Sequence, residues 1–156
     1  MKKLIIDLSK NIQDIIIDED TNVYALLVPE ENAIYKSKFD IKFKNSGLSA
    51  KIKIKIVLLG KAEIEFEPTI VVPKELIGIN CVLNIECLTD TDESRLKITP
   101  SMEVSNPNIK TKHSLTISTF DENQMNYLLS RGLAWDESRK LLIDAFIGDI
   151  IKNIEE

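Results

Sequence analysis

Between residues 4 and 117 short apolar or alternating runs succeed one another with turn residues between them, and near residue 120 this pattern gives way to a helical one. Runs such as Leu4–Leu8, Ile12–Ile17, Val23–Val28, Phe39–Phe43, Ala50–Leu59 and Val82–Cys87 are short and rich in Ile, Leu and Val. Asp18-Glu19-Asp20, Asn45-Ser46-Gly47, Gly60, Pro73 and Thr89-Asp90-Thr91-Asp92 punctuate them. β-branched side chains are stiff at χ1 and suit a pleated, half-buried surface, so these runs read as strands. Glu63-Ile64-Glu65-Phe66-Glu67 alternates strictly, which places its carboxylates on a solvent face and Ile64 and Phe66 on a buried one. Tight two-residue hairpin signals are few. That leaves a sandwich or a stacked β-solenoid, and without a strict repeat unit a solenoid would be irregular.

After residue 120 the apolar spacing becomes helical. Asp121 is placed to cap a helix, with Gln124 three residues on completing a capping-box variant, and Met125, Leu128 and Leu129 follow. Arg131-Gly132 reads as its stop, with glycine at the left-handed position. A second helix is expected from about Asp136. Leu141, Leu142, Ala145, Phe146, Ile150 and Ile154 form its stripe, while Arg139, Lys140, Asp144 and Asp149 lie outside it and Ile147 and Ile151 widen it. Residues 1–118 are thus expected to form a β-rich domain and residues 119–156 a helical segment. The wide stripe either sits deep against the β-part or meets a partner.

Composition narrows the function classes. The chain has 156 residues, 44% apolar and 29% charged, with a formal net charge of −5. That balance fits one domain and argues against a nucleic-acid platform, which needs a basic face. The local basic run Lys51, Lys53, Lys55 alternates with Ile52, Ile54 and Ile56 and reads as the wet face of a strand. Apolar stretches fall short of a signal-peptide core or a membrane span, so a reduced, cytoplasmic protein is expected. Acidic turns at Asp18–Asp20 and Asp90, Asp92, Glu93 read as solvated loops, because calcium-loop spacing is absent. No phosphate loop, clustered Cys/His set or nucleophile elbow occurs, which argues against an enzyme. Cys81 and Cys87 share one face of a strand and read as small buried hydrophobes or as ligands completed by another chain. His113, the one histidine, is either a partly exposed strand residue or a metal or cluster ligand completed by a second subunit.

Three motifs resemble the SufB/SufD family of iron–sulfur cluster assembly proteins. Pro100-Ser101-Met102-Glu103-Val104, Ile109-Lys110, His113 and Thr116-Ile117 follow one family signature at its spacing. Tyr127-Leu128-Leu129-Ser130-Arg131-Gly132-Leu133 is similar to a second, and Leu141-Leu142-Ile143-Asp144-Ala145-Phe146 to a third. The resemblance covers residues 99–152; residues 1–59 carry no matching motif.

The resemblance implies a mainly β fold, a short right-handed parallel β-helix followed by a C-terminal helical hairpin, with few turns and without the N-terminal domain of longer members. It implies a non-catalytic scaffold that pairs through its β-helix with a SufB-like subunit or a second copy. The hairpin would dock a SufC-type ABC ATPase, with Tyr127, Arg131, Gly132, Leu142 and Phe146 at the partner surface. His113 matches the family histidine near a cluster site at the subunit interface. No tightly bound cofactor is expected, only a transient iron–sulfur cluster there, and neither nucleic acid nor membrane is an expected partner. Ser94 and Ser114 stand where SufB-type members carry a cysteine and a glutamate, so the likeness is to the SufD side. The alternative is a self-associating β-solenoid that has lost the assembly role.

Overall fold

The computed structural model describes residues 1–10 and 14–155, with side chains to residue 153. The strands are β1 (Lys2–Asp7), β2 (Ile15–Ile17), β3 (Thr21–Leu27), β4 (Ile34–Phe43), β5 (Ser49–Leu58), β6 (Glu63–Val72), β7 (Asn80–Thr89), β8 (Arg95–Ile98), β9 (Ser101–Val104) and β10 (Lys110–Thr119). They alternate between two sheets. The first runs β1-β3-β5-β7-β10; the second runs β2-β4-β6, with β8 and β9 both on β6. Every pairing is parallel. This is a solenoid of about four turns, which decides against the sandwich. The expected strand start at Ile12 lies outside the described residues.

A repeat exists in the backbone that the side chains do not announce. Thr21 pairs with Ala50, Ala50 with Cys81 and Cys81 with Thr111, so rungs of the first sheet recur after 29, 31 and 30 residues. In the second sheet Ile34 pairs with Glu63 and Glu63 with Arg95, after 29 and 32 residues. Strands β1 to β5, in the part of the chain where the sequence shows no recognisable motif, belong to the same coil. Thr99 and Pro100 separate β8 from β9; proline has no N–H to give to a ladder, so the strand breaks there.

Residues paired in parallel register point the same way, so the coil interior is built of columns. Leu4, Val23, Ile52, Leu83 and His113 form one, and Ile6, Ala25, Ile54, Ile85 and Leu115 the next. Val23, Ile52, Leu83, Ala25, Ile54 and Ile85 are fully or almost fully buried. Phe39 and Phe66 meet edge to face inside the coil, with ring centroids 5.4 Å apart. Outside the second sheet, Glu65 lies between Lys36, at 3.2 Å, and Lys97, while Glu63 faces Arg95 and Glu67 faces Lys38. The expected solvent face of the Glu63–Glu67 run is present, and its charges alternate in sign across the strands.

The helices form where the sequence places them. In α1 (Glu122–Ser130) the Asp121 carboxylate accepts the Asn123 N–H at 2.8 Å and caps the helix without Gln124. At its other end Gly132 adopts φ +92°, its N–H donates to Leu129 O and that of Leu133 to Leu128 O, a Schellman closure. α2 (Trp135–Glu155) begins one residue earlier than expected, and the Glu137 carboxylate accepts the Ala134 N–H at 2.9 Å. Ile147 and Ile150 are its buried apolar residues, whereas Leu141 is 47% exposed, so the buried stripe is rotated from the expected one. The Ile154 side chain lies outside the described set.

Candidate functional site

α2 lies on the outward face of the first sheet, against β3 and β5. On β5, Ile52, Ile54 and Ile56 point inward, so Lys53 and Lys55 point at the helix. Lys55 is only 6% exposed, which corrects its reading as a wet strand residue. Its ammonium donates to the Phe146 carbonyl, pairs with Asp149 at 2.6 Å and Glu86 at 3.4 Å, and sits 4.5 Å from the centre of the Phe146 ring. Lys53 pairs with Asp149 and Glu86 as well. Burial alone would raise the Asp149 carboxyl, but hydrogen bonds from Lys53 and Lys55 outweigh it and hold the group below the usual carboxylate range. The Asp149 hydrogen bond in turn pushes Lys53 above the ordinary lysine value.

The start of α2 is tied to the turns of the coil. Arg139 pairs with Asp90 and stacks over Trp135, 5.5 Å from the ring centre. The Asp90 side chain is 5% exposed and also accepts the Gly60 N–H at 2.9 Å. The expectation of a solvated acidic turn therefore fails at Asp90, because the helix folds back over it. Gly60 is itself required: its φ is +62°, and a Cβ there would come within 2.7 Å of Asn32 Oδ1 and 2.9 Å of Glu31 Cγ.

The two ends of the coil differ. On the first turn Leu8, Ile15 and Ile17 are 0–3% exposed and the column residues Leu4 and Ile6 are half-buried, although Ile5 and Ile16 on the outward row are exposed. On the last, the core-facing column positions have no further rung above them: Leu115 is 38% exposed, Ile117 56% and Met102 42%. His113 belongs to this row, directly above Leu83, and is exposed. The edge of β10, ten residues long, pairs with β7 on one side only. Cys81 and Cys87 lie one rung deeper, under Thr111 and Ile117, with no exposure. Burial pushes both thiols up to about 12, so at neutral pH they are protonated core residues. Ser114, on the outward row, donates to Asn84 Oδ1 at 2.8 Å, and Ser94 donates to Thr91 O at 3.1 Å. Among the described residues no group of three or more His, Cys, Asp or Glu is placed to hold a metal ion.

The expected site residues thus fall in separate places. Tyr127 is 57% exposed on α1, with the Arg131 guanidinium 5.1 Å from its ring centre, and Gly132 forms the exposed turn. Leu142 and Phe146 are half-buried on α2, Phe146 beside Lys55, so its ring is committed at least in part to the coil. His113 lies on the inner row of the last rung and is not brought together with the hairpin residues. Sequence reasoning did not single out Leu115, Ile117 and Met102 as exposed. The signal available was their position in the last strands before the helices.

A parallel coil whose last rung is exposed, with a helix held against its outer face, defines a β-solenoid protein with a C-terminal helical hairpin. Its sequence matches the family described as SUF system FeS cluster assembly, SufBD core domain, from residue 15 to residue 146. The chain belongs to this family. An iron–sulfur cluster assembly SufBD family protein of Synechocystis is 32% identical over 93 residues, 60% of this chain and 20% of the relative. One of Mycobacterium leprae is 28% identical over 109 residues, 70% and 12% of the two chains, and one of Staphylococcus saprophyticus 36% over 73 residues, 46% and 16%. The chain therefore spans a fifth or less of these relatives' lengths. Among the described residues no helix is long and apolar enough to cross a membrane.

Proposed function

We propose that this chain is a non-catalytic, SufD-like scaffold subunit of cytoplasmic iron–sulfur cluster assembly. The observation that carries the reading is the open last rung, where Met102, His113, Leu115 and Ile117 stand exposed on the core-facing row. An unpaired ten-residue strand edge beside exposed core-row residues is completed by another strand. A SufB-like subunit or a second copy supplies it, and a transient cluster is assembled near His113 with ligands from the other subunit. The hairpin surface at Tyr127 and Arg131 docks a SufC-type ATPase.

Two double variants test these contacts separately in a reconstitution with the SufB-like subunit and ATPase of the same genome. Leu115→Lys with Ile117→Lys is expected to lose pairing and keep the ATPase. Tyr127→Ala with Arg131→Ala is expected to lose the ATPase and keep pairing. Retention of both partners by both variants refutes the assignment of surfaces. A wild-type chain that dimerises but binds neither the ATPase nor, anaerobically, iron and sulfide is instead the self-associating solenoid.

A further inference from the structure

Beside the start of α2 the structure holds an open cleft of about 550 Å³, bounded on one side by the turn after β7 and on the other by the helical hairpin. Its apolar wall is Phe120, Met125 and Trp135, and its polar wall includes Asp92, Glu122 and Asn126. Trp135 is 49% exposed, a large aromatic surface left open to water. The neighbouring carboxylate, Asp90, is already engaged by Arg139 and the Gly60 N–H. Asp92 and Glu122 pair with no cation among the described residues.

The protein shows on this spot which group its chemistry accepts. Arg139 lies across the Trp135 ring and ends on the Asp90 carboxylate, which combines an aromatic face with an anion for one guanidinium. The cleft repeats that combination beyond Arg139, with the rest of the indole and two free carboxylates. Long basic side chains are suited to such a place, because their stems cover apolar surface while their heads meet the charge. We propose that this cleft receives a lysine or arginine side chain of the ATPase that docks on the hairpin, its stem on Met125 and Trp135 and its cation between Asp92 and Glu122. The inference rests on the ATPase-docking reading above and adds to it a second, electrostatic contact away from Tyr127 and Arg131.

Trp135 is the single tryptophan of the chain, so incorporation of 5-fluorotryptophan gives one ¹⁹F resonance in the cleft. Titration with the SufC-type ATPase of the same genome is expected to shift that resonance. Asp92→Asn with Glu122→Gln keeps side-chain size and leaves the Asp121 cap intact, so circular dichroism should be unchanged. Affinity should fall about tenfold or more, as expected for the loss of charge-assisted contacts, and its salt dependence should flatten. Tight ATPase binding by the wild type with an unmoved resonance, or equal affinity of the double variant, overturns the cleft proposal and leaves the docking reading standing. Absence of ATPase binding by the wild type overturns both.

Discussion

Lys55 alternates with Ile54 and Ile56 along a strand, and by that pattern its ammonium belongs in water. What encloses it is Asp149 and the Phe146 carbonyl, more than 90 residues further on, which no local pattern reports. Asp90 is the same case, since its partner Arg139 lies 49 residues away. Cys81 and Cys87, by contrast, were legible as buried apolar residues from their place in an alternating run, and the structure puts them there. Their thiols, pushed up to about 12 and without exposure, should resist a thiol reagent at pH 8 in the folded protein. Both should react once denaturant is added; rapid native labelling of either would contradict the packing. His113 was singled out by resemblance. The residues alone left it undecided, because its exposure follows from its place on the last rung of the coil rather than from its neighbours in sequence.

At the scale of the element, α1 and its stop were legible because caps act within a few residues: Asp121 reaches Asn123, and Gly132 closes on Leu129. How α2 rests on the sheet was legible only in part: Ile150 and Ile147 belong to the expected wide stripe and are buried, whereas Leu141 is exposed and Asp149, expected outside it, meets the lysines of β5. Asp149→Ala removes the partner of a buried lysine. Surface pairs contribute little and buried ones more, so a loss of about 1–3 kcal/mol is expected in chemical denaturation, with faster amide exchange along residues 142–151. The pH dependence has a definite sign. The folded Asp149 carboxyl titrates below its unfolded value, so its contribution is complete above the unfolded value of about 4 and is lost as pH falls through the folded one. Lys53, shifted upward, contributes below its unfolded value and loses that contribution as pH rises through the folded value above the ordinary lysine range. Protection of the α2 amides relative to their intrinsic exchange rates should therefore fall below about pH 4, and Asp149→Asn should remove most of that acid-induced change.

At the scale of the whole molecule, strand content was legible and rung order was not. A turn of about thirty residues leaves no repeat in the side chains, because a column asks only for an apolar group and accepts Val, Ile, Leu, Cys or Ala alike. The choice of a solenoid over a sandwich came from the resemblance in residues 99–152, and the pairing then extended it to the N-terminal strands, where the sequence offered no recognisable motif. The openness of the last rung belongs to this scale too. Gel filtration with light scattering of the isolated chain should show a species larger than a monomer whose apparent mass falls with Ile117→Lys. A strictly monomeric wild type at high micromolar concentration would argue that only a different subunit fits that edge.

The latch between α2 and β5 also bears on the order of events during synthesis. Each rung needs only the one before it, so a coil of this kind can wind as the chain emerges. The helix cannot. Asp149 is made 94 and 96 residues after the two lysines it grips, and those lysines face it only when β5 is wound in register between β3 and β7. A one-residue slip of β5 would turn Lys53 and Lys55 into the interior and leave isoleucines against the helix. The final helix thus acts as a proofreader, settling into place only on a coil whose middle has already been laid down correctly.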